Sequence, residues 1–165
     1  MLSKRGNFKQ INLPVFFGLS HLGQVFSLCW SKKIGNCYVF DNDNKALSSF
    51  RKKNYTSEEP KLKKLKSNKI KFLNKFEEIK NFKYIFFTYD TPLNIKNGKP
   101  KLNYISQNLK KIFNLKFQNK TYLIISSQIN PELVKNINKQ LNKNKNIKIF
   151  YLVDTLKMGE ALDKF

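Results

Sequence analysis

A doubly wound α/β fold, a mostly parallel sheet with helices on both faces, is what this sequence predicts, and three observations predict it. Short continuous apolar runs alternate with amphipathic segments from one end of the chain to the other. The runs are rich in β-branched and aromatic residues and lack polar alternation, the pattern of strands buried on both faces in a parallel sheet. The chain has 165 residues, 41% of them hydrophobic and 14% aromatic, which suits one domain with its own core.

The elements follow in order. LPVFFG (13–18) is a short buried strand ending in glycine, and from Leu22 the apolar residues Leu22, Val25, Phe26 and Cys29 recur at helical spacing. Gly35 breaks that helix, and CYVFD (37–41) is a second strand ending in an acid. NDNKALSSFRKK (42–53) reads as a helix, with Asp43 or Asn44 available to cap it. The polar, basic stretch 54–69 holds a short helix after Pro60. IKFL (70–73) is a strand, KFEEIKNF (75–82) a short helix, and YIFFTY (84–89) a buried central strand. Turn-rich 90–100 leads to a helix over 102–113, whose apolar positions are 102, 105, 109 and 113. TYLIISS (121–127) is a strand, and PELVKNINKQL (131–141) a helix that starts on proline, as helices tolerate. IKIFYLV (147–153) is the last strand and 156–165 the last helix.

Composition limits what the chain does. No apolar run is long enough to span a bilayer. Lys4, Arg5 and Lys9 before an apolar stretch imitate a signal peptide, but Pro14, Ser20, His21 and Gln24 interrupt it and no small-x-small site follows, so the stretch reads as a strand and a helix. Cys29 and Cys37 have neither metal-ligand nor disulfide-framework spacing, which fits buried thiols in a reducing, cytoplasmic setting. The net charge of +21 suggests a polyanion partner, but only Arg5 and Arg51 are arginines. Nucleic-acid sites favour arginine forks. The charge therefore reads as a compositional bias toward lysine and asparagine, with nucleic acid disfavoured as a partner.

The segment VFFGLSHLG (15–23) carries the chemistry. A strand ends at Gly18, Gly23 follows five residues later, and a helix begins between them. A second strand then ends in Asp41, about 20 residues beyond the turn, where a dinucleotide site needs a carboxylate for the adenosine ribose. This order predicts a Rossmann-type turn. Gly18 permits the tight bend and Gly23 close helix–strand packing. Backbone N–H groups over Gly18, Ser20, His21, Leu22 and Gly23 face a pyrophosphate. Asp41 favours NAD over NADP because it repels a 2′-phosphate. Ser20 stands where the second glycine of G-x-G-x-x-G would be, and its Cβ narrows the phosphate approach. His21, the only histidine, reads as a turn residue over the cofactor, and Trp30 as a reporter on the helix beside the turn.

Five stretches together resemble the NAD-binding domain of the UDP-glucose/GDP-mannose dehydrogenases. FGLSHLGQVFSLCWSKKIGNCYVFDND resembles that family's opening strand, turn, helix and D-x-D strand end. SEEPKLKKL resembles its EPGL segment, FTYDTPLNIKNGKPKLNYI its xxTPxxxDGxxDLxxV stretch, IISSQINPELV its S-[ST]-[QV]-V-P-x-G-T segment, and YLVDTLKMGEALDKF its YxPEFLRxGxAxxDF segment. The resemblance implies an NAD cofactor, with Thr91 and Pro92 over it and Ser126 and Ser127 on the nicotinamide side. It implies Asp154 at the position of a catalytic-site glutamate, one methylene shorter. It also implies a domain cut short or split from its catalytic half, since the family's linking helix, nucleophilic cysteine, lysine and sugar-nucleotide site lie further along. Neither Cys29 nor Cys37 matches that nucleophile. A nucleotide sugar then becomes a partner only with a complementary catalytic chain.

Overall fold

The computed structural model describes residues 10–56, 59–65, 67–141, 144–153 and 159–164. Six parallel strands form one sheet: β1 (Ile11–Phe17), β2 (Cys37–Phe40), β3 (Ile70–Phe72), β4 (Phe82–Phe87), β5 (Thr121–Ile125) and β6 (Ile147–Tyr151). Their spatial order is β3-β2-β1-β4-β5-β6. The chain steps outward from β1 to β3, then crosses back and steps outward again from β4, so the order reverses between β1 and β4. In such sheets ligands bind at that reversal, beyond the carboxyl ends of the strands.

Alternation along the strands sorts the side chains to two faces. Val15, Phe17, Ile85, Phe87, Leu123 and Ile125 point to one face, where α3 (Asn103–Asn114) and α4 (Pro131–Leu141) contribute Ile105, Leu109, Ile112, Leu133 and Ile137 to the same core. Phe16 and Val39 point to the other face and meet Val25, Leu28 and Cys29 of α1 (His21–Lys33). On that second face Tyr84, Tyr122 and Phe150 instead line a groove of about 480 Å³ together with Trp30.

The helix α2 (Asn44–Arg51) starts on Asp43, whose carboxylate accepts the N–H of Lys45 at 2.8 Å. This is a side-chain cap of the ordinary kind. Two expected helices are single 3-10 segments, Pro60–Lys64 and Phe76–Asn81. Each is too short to repay an α-helical nucleus, and i→i+3 bonding is the usual geometry of such short pieces. The last described helix, α5, runs over Ala161–Lys164 after a turn at Gly159 and Glu160, and residues 154–158, part of the expected segment 156–165, lie outside those described. No helix among the described residues is long and apolar enough to cross a membrane.

Candidate dinucleotide site

The β1–α1 turn is built around two glycines that lock into each other. Gly18 has φ +110°, a left-handed conformation that favours glycine, and a Cβ there would stand 2.8 Å from the ring of Tyr89. A Cβ on Gly23 would stand 1.7 Å from the carbonyl oxygen of Gly18, so α1 approaches the turn as closely as a backbone can. Thr88, at the end of β4, donates its hydroxyl to that same oxygen at 2.8 Å. The carbonyl of Gly18 is thus held by the strand across the reversal point.

Asp41 fastens the turn from the other side. Its carboxylate accepts the N–H of Leu19 at 2.6 Å, the N–H of Asp43 at 2.8 Å and the hydroxyl of Tyr89 at 3.0 Å. The residue is 3% exposed. Burial pushes its carboxyl above the ordinary carboxylate range, against the pull of those three donors. Tyr89 is raised as well, chiefly by burial and then by the Asp41 charge. The carboxylate expected from the sequence is therefore at the turn, and two of its three donors come from residues other than its immediate neighbours. Asp43, two positions on, is exposed.

At the start of α1, Ser20 is the N-cap residue but makes no cap bond to its own helix. Its hydroxyl donates to the carbonyl of Thr88 at 3.1 Å and accepts the N–H of Asp90 at 2.8 Å. Asp90 in turn sets its carboxylate on the helix: Oδ1 accepts the N–H of Leu22 at 3.3 Å. Burial raises the Asp90 carboxyl, while the Leu22 N–H, the His21 charge, the Ser20 hydroxyl and the His21 N–H oppose that rise. The first turn of α1 has no acid of its own, so the residue that meets its free N–H groups arrives from the β4 loop.

His21 has the partner that its sequence neighbourhood does not supply. Its Nε2 lies 3.2 Å from Oε1 of Glu59, a carboxylate with no exposed surface. The same oxygen accepts the N–H of Gly159 at 2.7 Å, and Oε2 has no hydrogen-bond partner among the described residues. Thr91 donates to the carbonyl of Gln128 at 2.5 Å and ties the β4 loop to the end of β5. Ser126 and Ser127 follow β5 directly. Both are buried, and neither hydroxyl has a hydrogen-bond partner among the described residues. Buried hydroxyls are rarely left so, and two at the carboxyl end of a central strand suit a polar ligand. Asp154 lies outside the described residues. Trp30 lies on α1, the helix beside the turn, nine residues after His21, ~13 Å along the helix at 1.5 Å per residue, and packs on Phe16 and Phe86.

The two thiols are far from nucleophilic. Burial pushes Cys29 up to about 11 and Cys37 up to about 12. A disulfide-exchange reagent is expected to titrate neither thiol in the folded chain and both after denaturation; rapid reaction of either in the folded chain would contradict the burial.

A strand order that reverses beside a glycine-locked strand–helix turn, with a carboxylate at the end of the next strand, defines a dinucleotide-binding domain. The scaffold of the turn fits that group, and the helix N-terminus differs in carrying Asp90. The family model described as "UDP-glucose/GDP-mannose dehydrogenase family, NAD binding domain" matches residues 13–163. The chain belongs to that family and to its NAD-binding domain. No curated protein matches it by sequence. Among solved structures, a GDP-mannose dehydrogenase from Pseudomonas aeruginosa aligns at TM-score 0.77 and 19% identity, over 92% of this chain and 38% of that one. A UDP-glucose dehydrogenase from Pyrobaculum islandicum aligns at TM-score 0.76 and 16% identity, over 99% and 40%. A UDP-N-acetyl-mannosamine dehydrogenase from Staphylococcus aureus aligns at TM-score 0.73 and 18% identity, over 93% and 39%. The chain spans about two fifths of the length of each of these enzymes.

Proposed function

We propose that this chain binds NAD in the crevice above Gly18 and Thr88 and presents it, within a larger enzyme, for the oxidation of a nucleotide sugar. The observation that carries the reading is the contact between Gly18 and Gly23 at the reversal point of the sheet, which leaves no room for a Cβ on Gly23. NAD, when bound, supplies the hydride acceptor. The chain's own residues supply position. Gly18 and Gly23 shape the turn, and the N–H groups of Ser20, His21 and Leu22 face the pyrophosphate with the helix dipole behind them. Asp41 serves the adenosine ribose and selects against a 2′-phosphate. Thr91, Ser126 and Ser127 flank the nicotinamide, the two serines offering hydroxyls that no group among the described residues uses.

Asp154 stays a candidate catalytic carboxylate on the family resemblance alone. Oxidation of an aldehyde to an acid through a covalent intermediate needs a positioned thiolate. Cys29 and Cys37 are buried and protonated at neutral pH. That thiol and the sugar site are therefore assigned to the part of the relatives' length that this chain does not span. Two buried free thiols are compatible with a reducing cytoplasm.

A titration of the purified chain with NADH, NADPH and a short DNA duplex, each at low and moderate salt, tests the reading. Saturable NADH binding that survives salt and exceeds NADPH binding is expected. DNA binding, if driven by the lysines, falls steeply with salt. A folded chain without saturable dinucleotide binding up to millimolar NADH would overturn the proposal.

A further inference from the structure

We propose that Asp90 is an internal anion on the dinucleotide site: its carboxylate occupies the N–H groups at the start of α1, so a dinucleotide binds only by displacing it. The inference rests on the reading of this crevice as the NAD site and adds an element that the glycine turn alone does not contain.

Three observations carry it. Leu22 donates its N–H to Oδ1 of Asp90, and such N–H groups at a helix start are what a pyrophosphate takes. Ser20, in the place of the middle glycine, does not cap its own helix and instead holds the backbone N–H of Asp90 at 2.8 Å and the carbonyl of Thr88 at 3.1 Å. The serine that narrows the phosphate approach is therefore also the residue that delivers the carboxylate. Finally, the first turn of α1 has no acid of its own, so the helix's demand for a negative group is met from the β4 loop.

A carboxylate and a pyrophosphate compete for the same donors, and their like charges forbid sharing them. The apparent affinity for a dinucleotide is then the intrinsic affinity reduced by the fraction of chains with Asp90 withdrawn. Glu59 is a second carboxylate near this helix start, but its contacts among the described residues are the His21 imidazole and the Gly159 N–H rather than a backbone N–H of α1, so Asp90 alone is assigned the competing role.

The experiment measures dissociation constants of NADH, ADP-ribose, inorganic pyrophosphate and adenosine for wild type, Asp90→Ala, Asp90→Asn and Ser20→Gly, with thermal unfolding of each to show that it is folded. Asp90→Ala is expected to tighten NADH, ADP-ribose and pyrophosphate by roughly tenfold or more, the scale of one charge-assisted contact, and to leave adenosine unchanged. Asp90→Asn, which keeps an acceptor for Leu22 but no charge, is expected to give a smaller gain and serves if the alanine variant fails to fold. Ser20→Gly, which removes the tether, is expected to shift affinity in the same direction. Wild type that binds NADH with Asp90 variants equal or weaker overturns this inference and leaves the NAD reading standing; weaker binding would make Asp90 a ligand-contacting residue. An equal gain for adenosine overturns it too, because adenosine carries no phosphate. Absence of NADH binding by wild type and all variants overturns both.

Discussion

Gly23→Ala is expected to cost the fold about 3 kcal/mol or more, the upper end of what overpacking in a close-packed site costs, and to abolish dinucleotide binding. The added methyl would stand 1.7 Å from the Gly18 carbonyl oxygen, 2.8 Å from the carbonyl carbon and 2.8 Å from the Thr88 hydroxyl. Two of these atoms are backbone, and no rotamer change clears them. Relief requires α1 to lift from β1, which opens the core made by Phe16, Val25, Leu28 and Cys29. It also strains the bond from Thr88 to Gly18, one of the links between β1 and β4 at the reversal point. For a domain of this size such a loss lowers Tm by roughly 6–12 °C. Gly35→Ala is the internal control, since a Cβ there meets nothing within 4 Å. Thermal unfolding of the pair by circular dichroism, with NADH titration of each, checks the point. A Gly23→Ala chain as stable as wild type and still able to bind NADH would mean that the close approach of helix and turn is dispensable.

The parts of the fold legible in the sequence are those with local causes. Continuous apolar runs place β1, β2 and β5, and period-3.6 patterns place α1, α3 and α4, because burial is written into consecutive residues. The glycine pair and the strand-end acid are equally local: a left-handed φ at Gly18 and a backbone contact at Gly23 each demand glycine. What local pattern does not carry is who meets whom at the reversal point. Thr88 and Asp90 lie 70 and 68 residues from their partners Gly18 and Leu22, and Glu59 lies 38 residues from His21. Only the order β1–β4 brings the first two into contact. The signal for Asp90 is nonetheless present, as an acid directly after the apolar run 84–89, a central strand that a doubly wound order sets next to β1. The role of Ser20 follows the same logic. Read alone it is a lost glycine; read beside β4 it is a link to Thr88 and Asp90. The register and length of weak elements were also beyond local reach: Pro60–Lys64 and Phe76–Asn81 are 3-10 turns, held by Leu62 and Ile79, each fully buried.

Asp41→Ala is expected to be the more informative loss, because one carboxylate holds the turn and serves the proposed ribose site together. Truncation leaves the Leu19 N–H, the Asp43 N–H and the Tyr89 hydroxyl without their acceptor. Leu19 and Tyr89 are 2% and 4% exposed, so water cannot readily replace the carboxylate for them. Each buried donor left unpaired costs about 1–3 kcal/mol. Against this runs the burial that raises the Asp41 carboxyl, since removing a desolvated charge returns part of the loss. The net expectation is destabilisation of about 2–4 kcal/mol, from two orphaned donors and one that can still reach solvent. NADH affinity is expected to fall by roughly tenfold or more, the scale of one charge-assisted contact. Two further variants separate the roles. Tyr89→Phe removes a single donor, leaves the Leu19 bond intact, and should cost about 1 kcal/mol with little change in affinity. Asp41→Asn keeps one acceptor for Leu19 and should retain more stability than affinity, and its preference for NADH over NADPH should shrink as the charge that repels a 2′-phosphate is lost. Denaturant unfolding with unchanged m, read beside the two affinities, is the measurement. An Asp41→Ala chain that keeps both its stability and its preference for NADH would assign the turn to the glycines and Thr88 alone, and would pass the ribose to the exposed Asp43 two residues on.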